Sequence, residues 1–295
     1  MKKILVPTDF SPCANAAMEV AIRMAQKGSA EIFFLHLYFD NEISSHVPHQ
    51  RSSLPDGHHQ NAALGKAKDS LDKMVSKAEV LGICAEPILI FAKGQERIED
   101  YLIAYHIDFV VMGSHGVSGI KETFLGSNTQ RFVRRSPVPV LVIKEDQRDF
   151  DIKKIVYMSS FEEDSVKSFQ EVIEASRLWN AEIYLLYVNT PYHFRETHES
   201  MVDIGRFMHQ FPRISYTPVI FNALDEERGL TEFCKQSKID LIVLTTHGKR
   251  GFYRLLAHGV AESIINHQSK PVLVINTNEK LTQERALIEE AFTNE

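Results

Sequence analysis

The chain repeats itself, and the repeat dictates the architecture. Ile4-Leu5-Val6-Pro7-Thr8-Asp9-Phe10 is answered 151 residues later by Ile155-Val156-Tyr157-Met158-Ser159-Ser160-Phe161, and Glu31 to Tyr38 by Glu182 to Asn189 at the same spacing. Asp108 to Met112 then matches Asp240 to Leu244 at a spacing of 132, so the first copy holds 19 more residues between its second and fourth apolar runs. Pro139 to Ile143 and Pro271 to Ile275 close the two copies. Self-similarity of this kind means one folding unit used twice. Each copy has five short apolar runs separated by helical patterns, the signature of parallel strands covered on both faces by crossover helices. The expected class is therefore α/β, two tandem doubly wound parallel five-stranded sheets. The units span residues 1–144 and 152–277, joined by a charged linker from Glu145 to Asp151 and followed by a tail, 278–295.

Local signals agree with that plan. Ser11 is an N-cap residue, and Pro12 fits the first helical position because its missing N–H needs no partner there. Ala17, Val20, Ala21, Met24 and Ala25 form the apolar stripe of this helix. A second helix is expected through Leu64, Leu71, Met74, Val75, Ala78 and Leu81, stopped by Gly82. A third lies near Glu96 to Tyr105, and a fourth runs from Gly126 or Ser127 to before Pro137. The second copy repeats the set near Glu163 to Trp179, Glu199 to Gln210, Asp225 to Lys235 and Gly259 to His267. The extra residues of the first copy fall mostly in Asn41 to Asn61, a polar stretch expected as a mobile excursion. His46, His49, His58 and His59 within it lack the fixed geometry of a metal site, and no metal is assigned to them.

Charge narrows the range of partners. Lys and Arg total 33 against 39 Asp and Glu, and a net charge of -6 argues against a nucleic-acid-coating surface. Arg131, Arg134 and Arg135 read as a solvated helix face. No apolar run reaches the roughly 18–20 residues of a spanning helix, and Met1-Lys2-Lys3 leads straight into a strand pattern. No membrane partner and a cytoplasmic location are expected. Cys13, Cys84 and Cys234 show no paired spacing, so reduced thiols are expected in place of a disulfide framework or zinc site. Cys13, in the first turn of a helix, reads either as a stabilised thiolate or as a small buried residue.

One segment carries candidate chemistry. After the run ending at Met112 come Gly113, Gly116 and, nine residues further on, Gly126-Ser127-Asn128-Thr129. Glycine allows positive φ and close backbone approach, and the helix that follows offers unpaired N–H groups and the positive end of its dipole. Each such dipole contact contributes about 0.3–1 kcal/mol. The arrangement suits a phosphate chain; on spacing alone, a plain glycine-rich turn fits equally well. The Gly-Lys-Ser or Gly-Lys-Thr end of a P-loop is missing, as are the kinase motifs, so binding is better supported than hydrolysis. His115 is either a general base or a loop-shaping residue, and Lys121 either neutralises phosphate or faces solvent.

The first copy resembles the universal stress protein family, whose ATP-binding members carry Gly, two residues, Gly, nine residues, then Gly-Ser or Gly-Thr after the fourth strand. The resemblance runs from Pro7-Thr8-Asp9-Phe10-Ser11 through Leu35-His36-Leu37 and Met112-Gly113-Ser114-His115-Gly116 to Leu125-Gly126-Ser127. It implies the adenine nucleotide alpha hydrolase-like strand order 3-2-1-4-5, with the first and fourth strands meeting at the switch point where open α/β sheets bind ligands. It also implies that Val138 to Ile143 and Pro271 to Ile275 pair within the chain as a pseudo-dimer; association into a homodimer stays open. The implied cofactor is ATP, with magnesium as a candidate companion. Pro7, Thr8, Asp9 and Leu37 would line the adenine and ribose end, and Met112 and Gly113 the ribose. Gly116, Gly126, Ser127, Asn128 and Thr129 would hold the phosphates. Leu37 and Asn128 stand where the family more often has valine. The implied function is a nucleotide-dependent sensor or regulator in a stress response, acting on protein partners yet to be identified. The alternative is a slow ATP-hydrolysing or phosphate-transferring enzyme.

The second copy serves as an internal control. Thr245, His258 and Gly259 stand in place of Gly113, Gly126 and Ser127, and Ser160, Met158 and Tyr157 in place of Asp9, Pro7 and Val6, while Gly248 retains Gly116. Side chains at 245 and 258 obstruct a backbone that must approach phosphate. One adenine nucleotide per chain is therefore expected. Leu281, Leu287, Ile288 and Phe292 suggest a short amphipathic helix in the tail.

Overall fold

The computed structural model describes residues 1–39, 57–92, 97–115, 127–144, 150–161, 165–245, 263–265 and 268–276. The first copy supplies strands β1 (Lys3–Pro7), β2 (Glu31–Phe39), β3 (Ala85–Ala92), β4 (Phe109–Gly113) and β5 (Val140–Ile143). Its helices are α1 (Pro12–Gly28), α2 (Gly57–Val80), α3 (Ile98–Ala104) and α4 (Ser127–Arg135). The second supplies β6 (Lys154–Met158), β7 (Glu182–Asn189), β8 (Thr217–Asn222), β9 (Leu241–Thr245) and β10 (Val272–Ile275), with α5 (Ser165–Trp179), α6 (Thr197–Met208) and α7 (Glu226–Ser237).

Each copy has the order 3-2-1-4-5, and the two merge into one ten-stranded sheet, β3-β2-β1-β4-β5-β10-β9-β6-β7-β8. Every pairing within a copy is parallel; the seam between β5 and β10 is antiparallel, with Leu141 opposite Leu273. The implied pseudo-dimer is thus a single sheet. Its outer strands β3 and β8 carry Pro87 and Pro218, which cannot donate to a further strand.

Alternation along the strands sends side chains to two buried layers. Ile4, Val6, Phe34, Tyr157 and Leu185 meet α1, α2, α5 and α6 in a core that runs across both copies. Leu5, Leu35, Val110, Val156 and Leu186 face the layer of α3, α4, α7 and residues 263–265. The strand starts are pinned identically: Asp108 accepts from the backbone N–H groups of Lys2 and Lys3 at 2.8 and 3.1 Å, and Asp240 from those of Lys153 and Lys154, both at 3.0 Å.

The caps follow the sequence. Ser11 Oγ accepts from the Ala14 N–H, Pro12 opens α1, and all five residues of the expected stripe are buried. Gly82, at φ 77°, follows α2, and Asp225 caps α7. Arg131, Arg134 and Arg135 are exposed on α4. Two boundaries differ from expectation. Helix α2 starts at Gly57, so His58 and His59 are helical, whereas His46 and His49 lie outside the described residues. The end of the linker is core: Phe150 and Ile152 are buried, and Phe150 meets Trp179 edge-on at 5.2 Å. Residues 277–295, with the expected tail helix, lie outside the described residues. Among those described, the three cysteines are free and no helix is long and apolar enough to cross a membrane.

The glycines separate backbone economy from packing. Gly205 sits in the last turn of α6 with nothing within 4 Å of where a Cβ would stand. Gly205→Ala removes a residue with high conformational freedom and is expected to stabilise the chain by about 0.5–1 kcal/mol. At Gly229 in α7, a Cβ would collide with Cγ1 of Val188. There the same substitution is expected to cost about 1–3 kcal/mol through overpacking. Denaturant unfolding of the two variants should shift the midpoint in opposite directions.

Candidate functional site

The turn from β1 into α1 is built by short polar bonds. Thr8 Oγ1 accepts from the Phe10 N–H at 3.0 Å, and Asp9 Oδ1 accepts from the Ser11 N–H at 3.1 Å. Both are local side-chain caps of the kind that compete with regular structure and fix turns. They hold Phe10 at φ 64°, in the left-handed region. His36 on β2 braces the turn from the side: Nδ1 lies 2.8 Å from the Thr8 carbonyl, and its ring rests 4.5 Å from that of Phe10. Thr8 is buried, while Pro7, Asp9 and Leu37 remain partly open.

Strand β4 runs beside β1 in the register Leu5 to Val110, which brings their C-terminal ends together. Strands β2 and β5 leave from opposite sides of this pair, which makes it the switch point of the sheet. At its end, Gly113 has a steric reason that the sequence pattern did not give. A Cβ there would lie 3.0 Å from the Cys13 carbonyl carbon and 3.1 Å from both the Ala14 nitrogen and Cys13 Sγ, so glycine at 113 lets α1 pack against the strand without displacing its first turn. Cys13 is the small buried residue of the two readings: its thiol donates to the Ile143 carbonyl at 3.2 Å and sits 3.6 Å from Ser114 Oγ.

Helix α4 then starts at the same end. Thr129 Oγ1 donates to the Gly113 carbonyl at 3.2 Å, tying the helix's first turn to β4. Ser127 and Asn128 occupy that first turn; Gly116 and Gly126 lie outside the described residues. The expected residues Pro7, Thr8, Asp9, Met112, Gly113 and Thr129 are thus brought to one end of the sheet, with Leu37 on the neighbouring strand. The first turn of α4, at its positive dipole end, holds no acidic residue, and basic Arg134 and Arg135 fall in its last turn.

Three contributors carried no local signal. His36 and Ser114 act through partners far away in sequence, Thr8 and Cys13. Ser114, itself buried, also holds His115: Oγ lies 2.9 Å from Nδ1, the contact expected of a loop-shaping histidine. Lys144, just after β5, is the third. Its half-buried position pushes its ammonium pKa down, with Cys13 acting in the opposite sense.

Comparison with known proteins identifies the family and the fold. The model of the universal stress protein family matches residues 1–144 and 223–276, more than half of the chain. The chain belongs to the universal stress protein family. A universal stress protein of Methanocaldococcus jannaschii is 29% identical over 153 residues, covering 48% of this chain and 94% of its own. One from Bacillus subtilis is 26% identical over 145 residues, covering 48% and 98%. Both are similar to this universal stress protein over about half its length, as a single unit compared with a tandem would be. The crystal structure of a universal stress protein from Archaeoglobus fulgidus superimposes over 94% of this chain and 98% of its own, with a TM-score of 0.70 at 19% identity, which shows the shared fold.

The family match resumes only at residue 223, and the unmatched part of the second copy contains β6 to β8. Its turn keeps the frame of the first copy: Ser159 Oγ accepts from the Phe161 N–H at 3.0 Å, and Phe161 has φ 59°. The Asp9 carboxylate, however, has become Ser160. Val188, the counterpart of Leu37, is buried beneath α7 at the close approach of Gly229. Tyr157, in place of Val6, fills the opposite layer, and its hydroxyl lies 2.9 Å from Ser168 Oγ. Thr245 ends β9 buried where Gly113 ends β4.

Proposed function

We propose that the first copy, residues 1–144, binds one ATP at the meeting point of β1 and β4, and that the occupied site biases contacts with protein partners, as a nucleotide-dependent sensor or regulator. The observation that carries this reading is the convergence of the half-open Asp9 carboxylate, the side-chain-free Gly113 and the first turn of α4 at one end of the sheet. The parts suit an adenine nucleotide. Pro7 and Leu37 offer apolar surface to the base, Asp9 offers an acceptor to sugar hydroxyls, and the start of α4 offers backbone N–H groups to an anion. Thr8 and Thr129 shape the site, their hydroxyls being engaged with Phe10 and Gly113. Gly116, Gly126, Ser127 and Asn128 complete the phosphate loop in this reading.

Titration of the full chain with ATP is expected to saturate. Gly126→His, which imports the second copy's residue, is expected to weaken binding at least about tenfold, equivalent to about 1.4 kcal/mol. Absence of binding by the unaltered chain, or equal binding by the variant, rejects the reading. Phosphate release followed for hours should stay at background; release that disappears in Ser127→Ala would favour the enzyme instead.

A further inference from the structure

At the end of the sheet remote from the nucleotide site lies a cavity of about 360 Å³ between α1 and α5. This is within the range of about 300–1,000 Å³ that holds small organic ligands. Its floor is the seam: Phe109 and Leu241 begin β4 and β9, and Leu141 and Leu273 face each other across β5 and β10. Neither copy alone encloses it, since one wall comes from α1 and the other from α5. Interiors are packed with few voids larger than a water molecule, so an opening of this size leading from the surface onto a shared core is a feature to be explained.

Its polar end is acidic. Glu171 and Glu174, about one turn apart on α5, both line it. Glu174 is paired with the Met1 ammonium at 3.6 Å. Glu171 is mostly covered and accepts no hydrogen bond from a described residue. Burial pushes its carboxyl above the usual range, and the charge of Glu174 pushes further in the same direction; the Met1 ammonium opposes both. The nearby cations are engaged or exposed. Lys27 rests 4.6 Å from the centre of the Trp179 ring, and Arg177 is exposed. A covered carboxylate beside an apolar chamber is matched by a cation that carries its own apolar body.

We propose that this cavity is a second binding site, taking a small primary amine whose ammonium pairs with Glu171 and whose aromatic or aliphatic body lies on Phe109, Leu141, Leu241 and Leu273. Because both copies form its walls, the bound amine braces the seam. The site is independent of the nucleotide reading.

Calorimetric titration with 2-phenylethylamine, and with 3-phenylpropionate as its acidic counterpart, tests the assignment. The amine is expected to bind saturably at one site and to raise the melting temperature, whereas the acid does neither. Glu171→Gln should weaken the amine at least tenfold. Ala175→Phe, which fills the chamber from α5, should abolish binding while ATP titrates as in the unaltered chain. If Ala175→Phe fails to fold, Glu171→Gln decides alone. Equal binding of acid and amine, no saturable amine binding, or unchanged affinity in Glu171→Gln overturns the proposal.

Discussion

Tyr157→Ala is expected to lower the stability of the folded chain by about 3–5 kcal/mol, the cost of emptying a large aromatic site in a close-packed core. Tyr157 has no exposed surface and lies between Phe161, at 6.2 Å, and Phe169, at 5.4 Å. Phe169 in turn meets Phe207 and Phe211 at 5.3 and 4.9 Å, so one ring supports a whole aromatic cluster beneath α5 and α6. Tyr157→Phe should cost only about 0.5–1.5 kcal/mol, the usual net value of one hydrogen bond. Denaturant unfolding of both variants checks the pair. A loss in Tyr157→Ala no larger than in Tyr157→Phe would show that the ring does not organise this layer. The first copy has Val6 here, so an aromatic ring at this position belongs to the second copy.

Asp9→Ala is expected to weaken ATP binding at least about tenfold, because a hydrogen bond to a charged group contributes about 1.5–3 kcal/mol and a tenfold change is about 1.4 kcal/mol. Asp9 also caps the turn through the Ser11 N–H, so alanine removes two things at once. Asp9→Asn separates them: its amide oxygen can keep the turn while the carboxylate charge is lost. Weakened binding in both variants, with near-normal unfolding in Asp9→Asn, assigns the carboxylate to the ligand. Unchanged ATP affinity in Asp9→Ala would leave Asp9 a turn residue only. The second copy already makes the change, with Ser160 on a turn that retains the left-handed Phe161.

The strands were legible in the sequence because a parallel strand covered on both faces must be apolar at nearly every position, as Phe109 to Met112 and Leu241 to Leu244 are. The caps at Ser11 and Asp225 were legible because their bonds are local. Long-range packing was not. Nothing near Gly113 announces that Cys13 passes within touching distance, so its glycine read as a ligand-facing residue when it also serves the approach of α1. Phe150 looked like part of a charged linker because its partner Trp179 follows in another element. Gly229 carried no ligand signal, yet it explains how α7 settles on Val188 where the first copy leaves Leu37 partly open. The cavity at the seam has no sequence signature, since its floor comes from four strands of two copies. The phosphate loop stands differently. Its glycine spacing is visible in the chain, while Gly116 and Gly126 lie outside the described residues.

The most direct measurement is the number of ATP molecules bound per chain, by isothermal titration of the full protein. One is expected, because the turn, Gly113 and the start of α4 converge in the first copy, whereas the second has Ser160, Thr245 and a closed surface over Val188. Two equivalent sites, or none, would contradict the assignment of nucleotide binding to the first copy.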